Sequence, residues 1–218
     1  MKKLFLVLSA LAAFSLSAFA KEKSFNTEIS FFLDFPVTNN DVSLDVEGVT
    51  GKDSLDTNGV GCLFSGRFYR KDNGLTFLAE MGISYAESSV AGFDYNFTGF
   101  LLNGNLGIRK RFGGEKGSFI PSFIFGYHLA NMESKMTYSY YTIDTEIFGL
   151  ALELGGNLYA SYLLGEKAGI CASLGLTFNL CGGGAVTYSS ERYSKSYGFL
   201  VDAGTVNILP SVGFFIKA

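Results

Sequence analysis

The chain has 218 residues, 48% of them hydrophobic, with 27 glycines, three prolines and a formal net charge of −3. That length is one domain's worth, and the mild acidity leaves no basic patch of the kind a nucleic-acid backbone needs. After residue 20 no apolar run reaches the ~20 residues of a membrane helix, so the high hydrophobic content excludes a helical membrane protein without suiting a soluble one.

Residues 1–20 read as a secretory signal peptide. Lys2 and Lys3 form the basic start, Leu4 to Leu16 the apolar core and Ala18-Phe19-Ala20 the cleavage site. The expected mature domain is 21–218, with 15 basic and 20 acidic residues, a net −5. Along it apolar residues alternate with small or polar ones, and a period of two means strand.

The first predicted strand, 25–36, sends Ile29, Phe31, Leu33 and Phe35 to one face and Glu28, Ser30 and Asp34 to the other. Residues 37–57, rich in Asp, Asn, Thr and Gly, read as a long loop, although Val42, Leu44 and Val46 alternate within it. Strand two, 58–70, carries Val60, Cys62 and Phe64 on its apolar face and Arg67 opposite. Lys71-Asp72-Asn73-Gly74 is a hairpin signal. Strand three, 75–87, sets Phe77, Met81 and Ile83 against Glu80 and Ser84. A loop at 88–94 follows.

Strand four, 95–112, places Leu102, Leu106 and Ile108 opposite Asn103, Asn105 and Arg109. Its two ends do not share one parity, which predicts a bulge near Gly99. After a turn at 113–117, strand five, 118–130, is followed by a loop at 131–143. Strand six, about 145–163, turns at 165–168 into strand seven, 169–181, which alternates most regularly of all. A loop at 182–197 precedes strand eight, 198–217.

Eight such segments with an apolar outer and a polar inner face, behind a secretory signal, predict an all-β fold: an eight-stranded antiparallel up-and-down transmembrane β-barrel. Three short turns alternate with four longer loops, as in outer-membrane barrels, which places both termini in the periplasm. On the signal peptide, the alternating segments and the turns KDNG, GGEKG and GEKA, the chain resembles the small outer-membrane barrels of the OmpX and OmpW kind. The resemblance covers the whole mature chain. It implies a cell outer-membrane location, contact with outer-membrane lipid and with the barrel-insertion machinery, and no cofactor.

Within that barrel the inward charges Glu28, Arg67, Glu80 and Arg109 fall at similar height on four neighbouring strands, with alternating sign. Opposite charges pair across strands. An ion-pair plug is therefore expected, with Glu80 at its centre and both arginines within its reach; a gate or ion-selective constriction is the competing reading. His128, the one histidine, faces Glu153 on the next strand. Such a pair could orient a general base, but Ser134 and Ser161 lack a nucleophile motif, so no enzymatic activity and no metal site are expected. Cys62 should face lipid and Cys171 the lumen. Cys171 and Cys181, ten residues apart on one strand, lie roughly 33 Å apart and cannot bridge.

Tyr138, Tyr140, Tyr141, Tyr188, Tyr193 and Tyr197 gather at the bases of the last two long loops. They read as an aromatic girdle at the headgroups or as a surface-binding patch. Cys181-Gly182-Gly183-Gly184 reads as a flexible strand exit. The leading function is thus a non-enzymatic surface or structural barrel that meets extracellular ligands through 37–57, 131–143 and 182–197. The resemblance to OmpW-like barrels implies the alternative, a narrow channel for small hydrophobic solutes.

Overall fold

A computed structural model describes residues 25–46, 49–70, 75–90, 96–114, 116–138 and 141–217. The proposed signal peptide and the KDNG turn lie outside them. The strands are β1 (Phe25–Asp34), β2 (Val37–Val46), β3 (Val49–Arg70), β4 (Leu75–Val90), β5 (Asn96–Lys110), β6 (Phe112–Gly113), β7 (Gly117–Tyr138), β8 (Tyr141–Leu163), β9 (Ala168–Ser190), β10 (Tyr193–Val201) and β11 (Val206–Lys217). β1 and β2 follow one another along one stave, interrupted at Phe35-Pro36. β5 with β6, and β10 with β11, do the same. Eight staves result, and all their pairings are antiparallel.

The sheet closes on itself. Ile29 pairs with Ile216 and Asp34 with Ser211, so β1 meets β11 and no edge is left along that seam. A row of paired inward residues runs Glu28, Arg67, Leu78, Gly107, Ile124, Gly155, Thr177, Asn207 and returns to the first stave at Thr38. One circuit thus climbs ten residues along an eight-staved barrel. At a rise of ~3.3 Å and a spacing of ~4.8 Å this corresponds to a strand tilt of about 40°.

The staves are much longer than a membrane requires. β8 and β9 have 23 residues each, about 58 Å along the axis at that tilt, against an apolar band of ~25 Å in such barrels. The surplus comes from segments expected to be loops. Residues 37–46 and 49–57 are not loop: β2 continues β1 upward and pairs residue by residue with the first half of β3. Residues 131–138 and 141–143, and 182–190 and 193–197, are likewise the paired tops of β7, β8, β9 and β10. Most of their described charged residues are on the outward face, whereas Thr38, Asn40 and Thr57 are buried inside.

The parity break expected at Gly99 is absent. Gly99 pairs with Ala86 and Met132 in unbroken register. It is glycine because a Cβ there would collide with the backbone of Asn131 and Met132. The apparent switch arises because Phe97 and Leu101 are apolar and buried inside, whereas Leu106 and Ile108 are apolar and exposed outside. The irregularity lies instead between β8 and β9. Leu152 pairs with Cys181 and Glu153 with Asn179, leaving Leu180 as an extra residue. Below this bulge odd residues of β9 point inward; above it even ones do, and Cys181 turns outward.

Candidate functional site

The lumen divides into three levels. The lowest, at the end where Phe25 and Lys217 lie, is a plug. Arg67 is fully buried, with Nη1 3.6 Å from Glu28 Oε1 and Nη2 3.7 Å from Glu80 Oε1. Its Nη1 also donates to Ser30 Oγ, and its guanidinium lies 3.7 Å from the centroid of the Tyr159 ring. Tyr159 in turn donates to Glu28 Oε1 at 2.6 Å, and Ser65 donates to Glu80 Oε1 at 3.0 Å. Phe32, Leu63, Tyr69, Ile120 and Phe215 pack around these groups.

The four charges are brought together, but not as expected. Arg67, and not Glu80, is the hub. Arg109 sits 5.6 Å from the same Tyr159 ring, and none of its guanidinium nitrogens has a hydrogen-bond partner. The reason is reach. Arg109 pairs with Thr76 across β4, four residues along the strand from Glu80, whereas Arg67 stands between Glu28 and the Ser65–Glu80 pair.

The middle level is a polar belt. His128 Nδ1 hydrogen-bonds Glu153 Oε1, and Thr177 Oγ1 donates to Glu153 Oε2. Asn179 Nδ2 donates to Asn40 Oδ1 at 2.7 Å, Asn207 Nδ2 to Asn179 Oδ1 at 3.0 Å, and Ser173 Oγ to Asn157 Oδ1 at 2.5 Å. Glu153 is committed on both oxygens. Ser161, one candidate nucleophile, is held by Ser118 at 2.7 Å instead.

The highest level was not anticipated. Above the polar belt the interior turns apolar: Leu55, Ala86, Phe97, Leu101, Met132, Ile147 and Phe199 are buried together, with Val42, Leu44 and Val186 packed on them. The outward face at the same height carries Lys52, Asp56, Glu87, Glu133, Lys135, Asp144 and Glu146. Lys135 and Asp144 pair there at 3.2 Å. The polarity of the wall therefore inverts with height. Within the band the barrel is apolar outside and polar inside; beyond it, polar outside and apolar inside.

This upper interior is not filled. A cavity of about 540 Å³ is lined by Val42, Leu44, Phe97, Ile147, Val186 and Phe199, and also by Asp53 and Tyr188. A second space of about 480 Å³ adjoins it, sharing Leu44, Ile143 and Tyr188 and adding Tyr193 and Tyr197. The Gly182–Gly184 run shapes this cup and is not a loose strand exit. A Cβ at Gly184 would meet Cζ of Phe199 at 2.6 Å, and one at Gly149 would meet it at 3.3 Å, so the glycines let the Phe199 ring lie against the wall.

Tyr188 and Tyr197 make an edge-to-face pair, 6.2 Å between centroids. Both sit on the inward parity of β9 and β10, continuing Val186 and Phe199. They belong to the mouth of the cup, not to an outer girdle. Tyr140 and the side chains of Tyr138 and Tyr141 lie outside the described residues. The cup was legible only in part: the alternation of Val42 with Leu44 was its one visible sign.

No protein-family model matches the sequence, and no curated protein sequence matches it. Solved structures do. The outer membrane protein OprG from Pseudomonas aeruginosa superimposes with a TM-score of 0.61 at 12% identity, over 88% of this chain and 96% of that one. A major outer membrane protein from Thermus thermophilus gives 0.56 at 11% identity, over 87% and 99%. The chain is an outer-membrane β-barrel in fold.

Proposed function

We propose that this protein is a plugged, non-catalytic outer-membrane barrel that binds small apolar molecules in the cup at its far end, which faces outward from the cell. The observation that carries this reading is the inversion of wall polarity. A barrel needed only for structure or display gains nothing from unfilled apolar space beyond the membrane. An unfilled pocket of 540 Å³ falls in the range that takes small ligands. The plug argues for binding over free conduction, since an eight-stranded lumen is just filled by side chains. The committed state of His128 and Glu153 supports the absence of catalysis. The extracellular ligand expected of the upper segments would enter here, inside the staves and not on loops.

The test uses the full mature chain in lipid nanodiscs with methyl NMR. Neopentylbenzene, a neutral apolar probe, should shift the Ile143 and Ile147 methyl signals saturably. The shifts should vanish in Val186→Gln with Ile147 intact. Planar bilayers should show no steady conductance. Absence of any cup shift with this probe or a charged isostere of it would sink the pocket.

A further inference from the structure

The charges of this chain are not spread evenly along the barrel. The described residues that build its far half, 38–46, 49–58, 86–90, 96–98, 131–138, 141–147 and 181–205, carry ten acidic and four basic residues, a net −6. The other described residues carry five acidic and eight basic residues, a net +3. A cleft rimmed by one sign of charge, with low-dielectric walls, concentrates ligands of the opposite sign. An anionic solute approaching the cup would be repelled and a cationic one drawn in.

The wall of the cup repeats that preference at short range. Its described ionic lining groups are Lys52 and Asp53. Lys52 Nζ is held 3.1 Å from Asp202 Oδ2, on a carboxylate that Ser43 Oγ also reaches at 3.0 Å. Asp53 has the inward parity of Leu55 and Thr57 and is left as the charge facing the cavity. Its Oδ1 accepts the Ser54 amide at 2.8 Å, which fixes the carboxylate without neutralising it.

The mouth adds the third observation. Tyr188, Tyr193 and Tyr197 line it, and Lys195 Nζ stands 4.8 Å from the Tyr197 ring centroid. A tethered ammonium thus already occupies a cation–π position beside the cavity. Aromatic rings grouped around an ammonium are the recognised means of holding quaternary ammonium groups. Apolar wall, aromatic mouth, facing carboxylate and acidic surround together describe a ligand with a hydrocarbon body and a positive head.

From this juxtaposition we infer that the cup selects apolar organic cations, of the alkyl- or arylammonium class, over neutral and anionic molecules of similar shape. This inference rests on the pocket reading above and narrows it. The hydrocarbon body occupies the space between Phe97, Ile147, Val186 and Phe199. The head lies at the Tyr188–Tyr197 pair, within the field of Asp53, where it displaces Lys195.

Three probes of similar size test it on the full mature chain in nanodiscs, read by the Ile143 and Ile147 methyl shifts: benzyltrimethylammonium, its neutral isostere neopentylbenzene, and 4-phenylbutyrate. At low salt the cation should bind about tenfold more tightly than the neutral probe, the scale of one cation–π contact plus a screened charge, and the carboxylate should bind more weakly than either. Raising the salt should shrink the cation's advantage. Asp53→Asn and Tyr197→Leu should each lower the ratio of cation to neutral-probe affinity. Lys195→Met should increase it, because the tethered competitor is gone. Equal or tighter binding of neopentylbenzene would overturn the charge selectivity and leave the pocket standing. Failure of all three probes to shift either methyl would overturn both.

Discussion

Leu176 and Val186 are apolar residues ten positions apart on β9, yet they face opposite sides of the same wall. Leu176, 46% exposed, belongs to the outward band, whereas Val186 packs inside on Phe199 and Ile147. β5 makes the same change between Leu101 and Leu106 in unbroken register; on β9 two even-numbered residues are set on opposite faces by the Leu180 bulge. Below it lipid is outside and a hydrogen-bonded lumen inside; above it water is outside and a hydrophobic interior within. The upper half is built like a soluble barrel and the lower half like a membrane one, and the hydrophobic effect acts on opposite faces of each.

The largest difference between the halves should appear when their interiors are damaged. In the lower half Arg67→Ala leaves Glu28 and Glu80 buried without their shared partner. Removing one side of a buried pair costs about 3–5 kcal/mol. A urea titration in detergent, followed by the gel-mobility shift between folded and unfolded barrel, should show this as a much earlier midpoint. Glu80→Ala should cost less, because Arg67 keeps Glu28. An equal loss from both would restore Glu80 to the centre of the plug.

A matched substitution on the outward face of β9 sharpens the comparison. Leu176→Arg puts a charge near the middle of the apolar band and should cost about 2–4 kcal/mol. Thr187→Arg, on the outward face above the bulge, should be near neutral in the same titration. Comparable costs at both positions would mean that the band extends to the top of the staves.

Thiol labelling sets the boundary more finely. Cys62 and Cys181 are exposed and Cys171 is buried. A lipid-soluble maleimide should label Cys62 in folded protein and spare Cys171 until denaturant is added. Cys181 should also react, because the bulge turns it outward. A variant with Leu180 deleted should keep that reactivity, because Cys181 then takes the outward place of Leu180 between Asn179 and Gly182.

The smallest effect concerns Asp202 in the upper half. Hydrogen bonds from Lys52 and Ser43 hold its carboxyl below the ordinary aspartate value. A depressed carboxyl stabilises the folded form above its unfolded value near pH 4, and the contribution fades as acid protonates it. Asp202→Asn should therefore narrow the difference in unfolding midpoint between pH 6 and pH 3, leaving the plug untouched.

What was readable in the chain was the lower half. Ile29, Phe31, Leu33 and Glu28, or Leu174, Leu176 and Ser173, alternate in the sense a membrane barrel demands, so the inward charges followed from parity, and stave number and antiparallel order from the turns between the segments. The inward charges could be named but not paired. Whether Glu80 meets Arg67 or Arg109 depends on stagger between staves, which arises from closing the whole ring. The upper half was misread for a related reason. Asn39, Asp41, Lys52 and Asp56 look like loop residues until they are seen on the outward face of paired strands. Local pattern can report that two faces differ. It cannot report which of them meets water, because that depends on how far the closed barrel rises out of the membrane. The tertiary structure alone decided that, and with it placed Val42, Leu44, Leu55, Ile147, Val186 and Phe199 around one cavity.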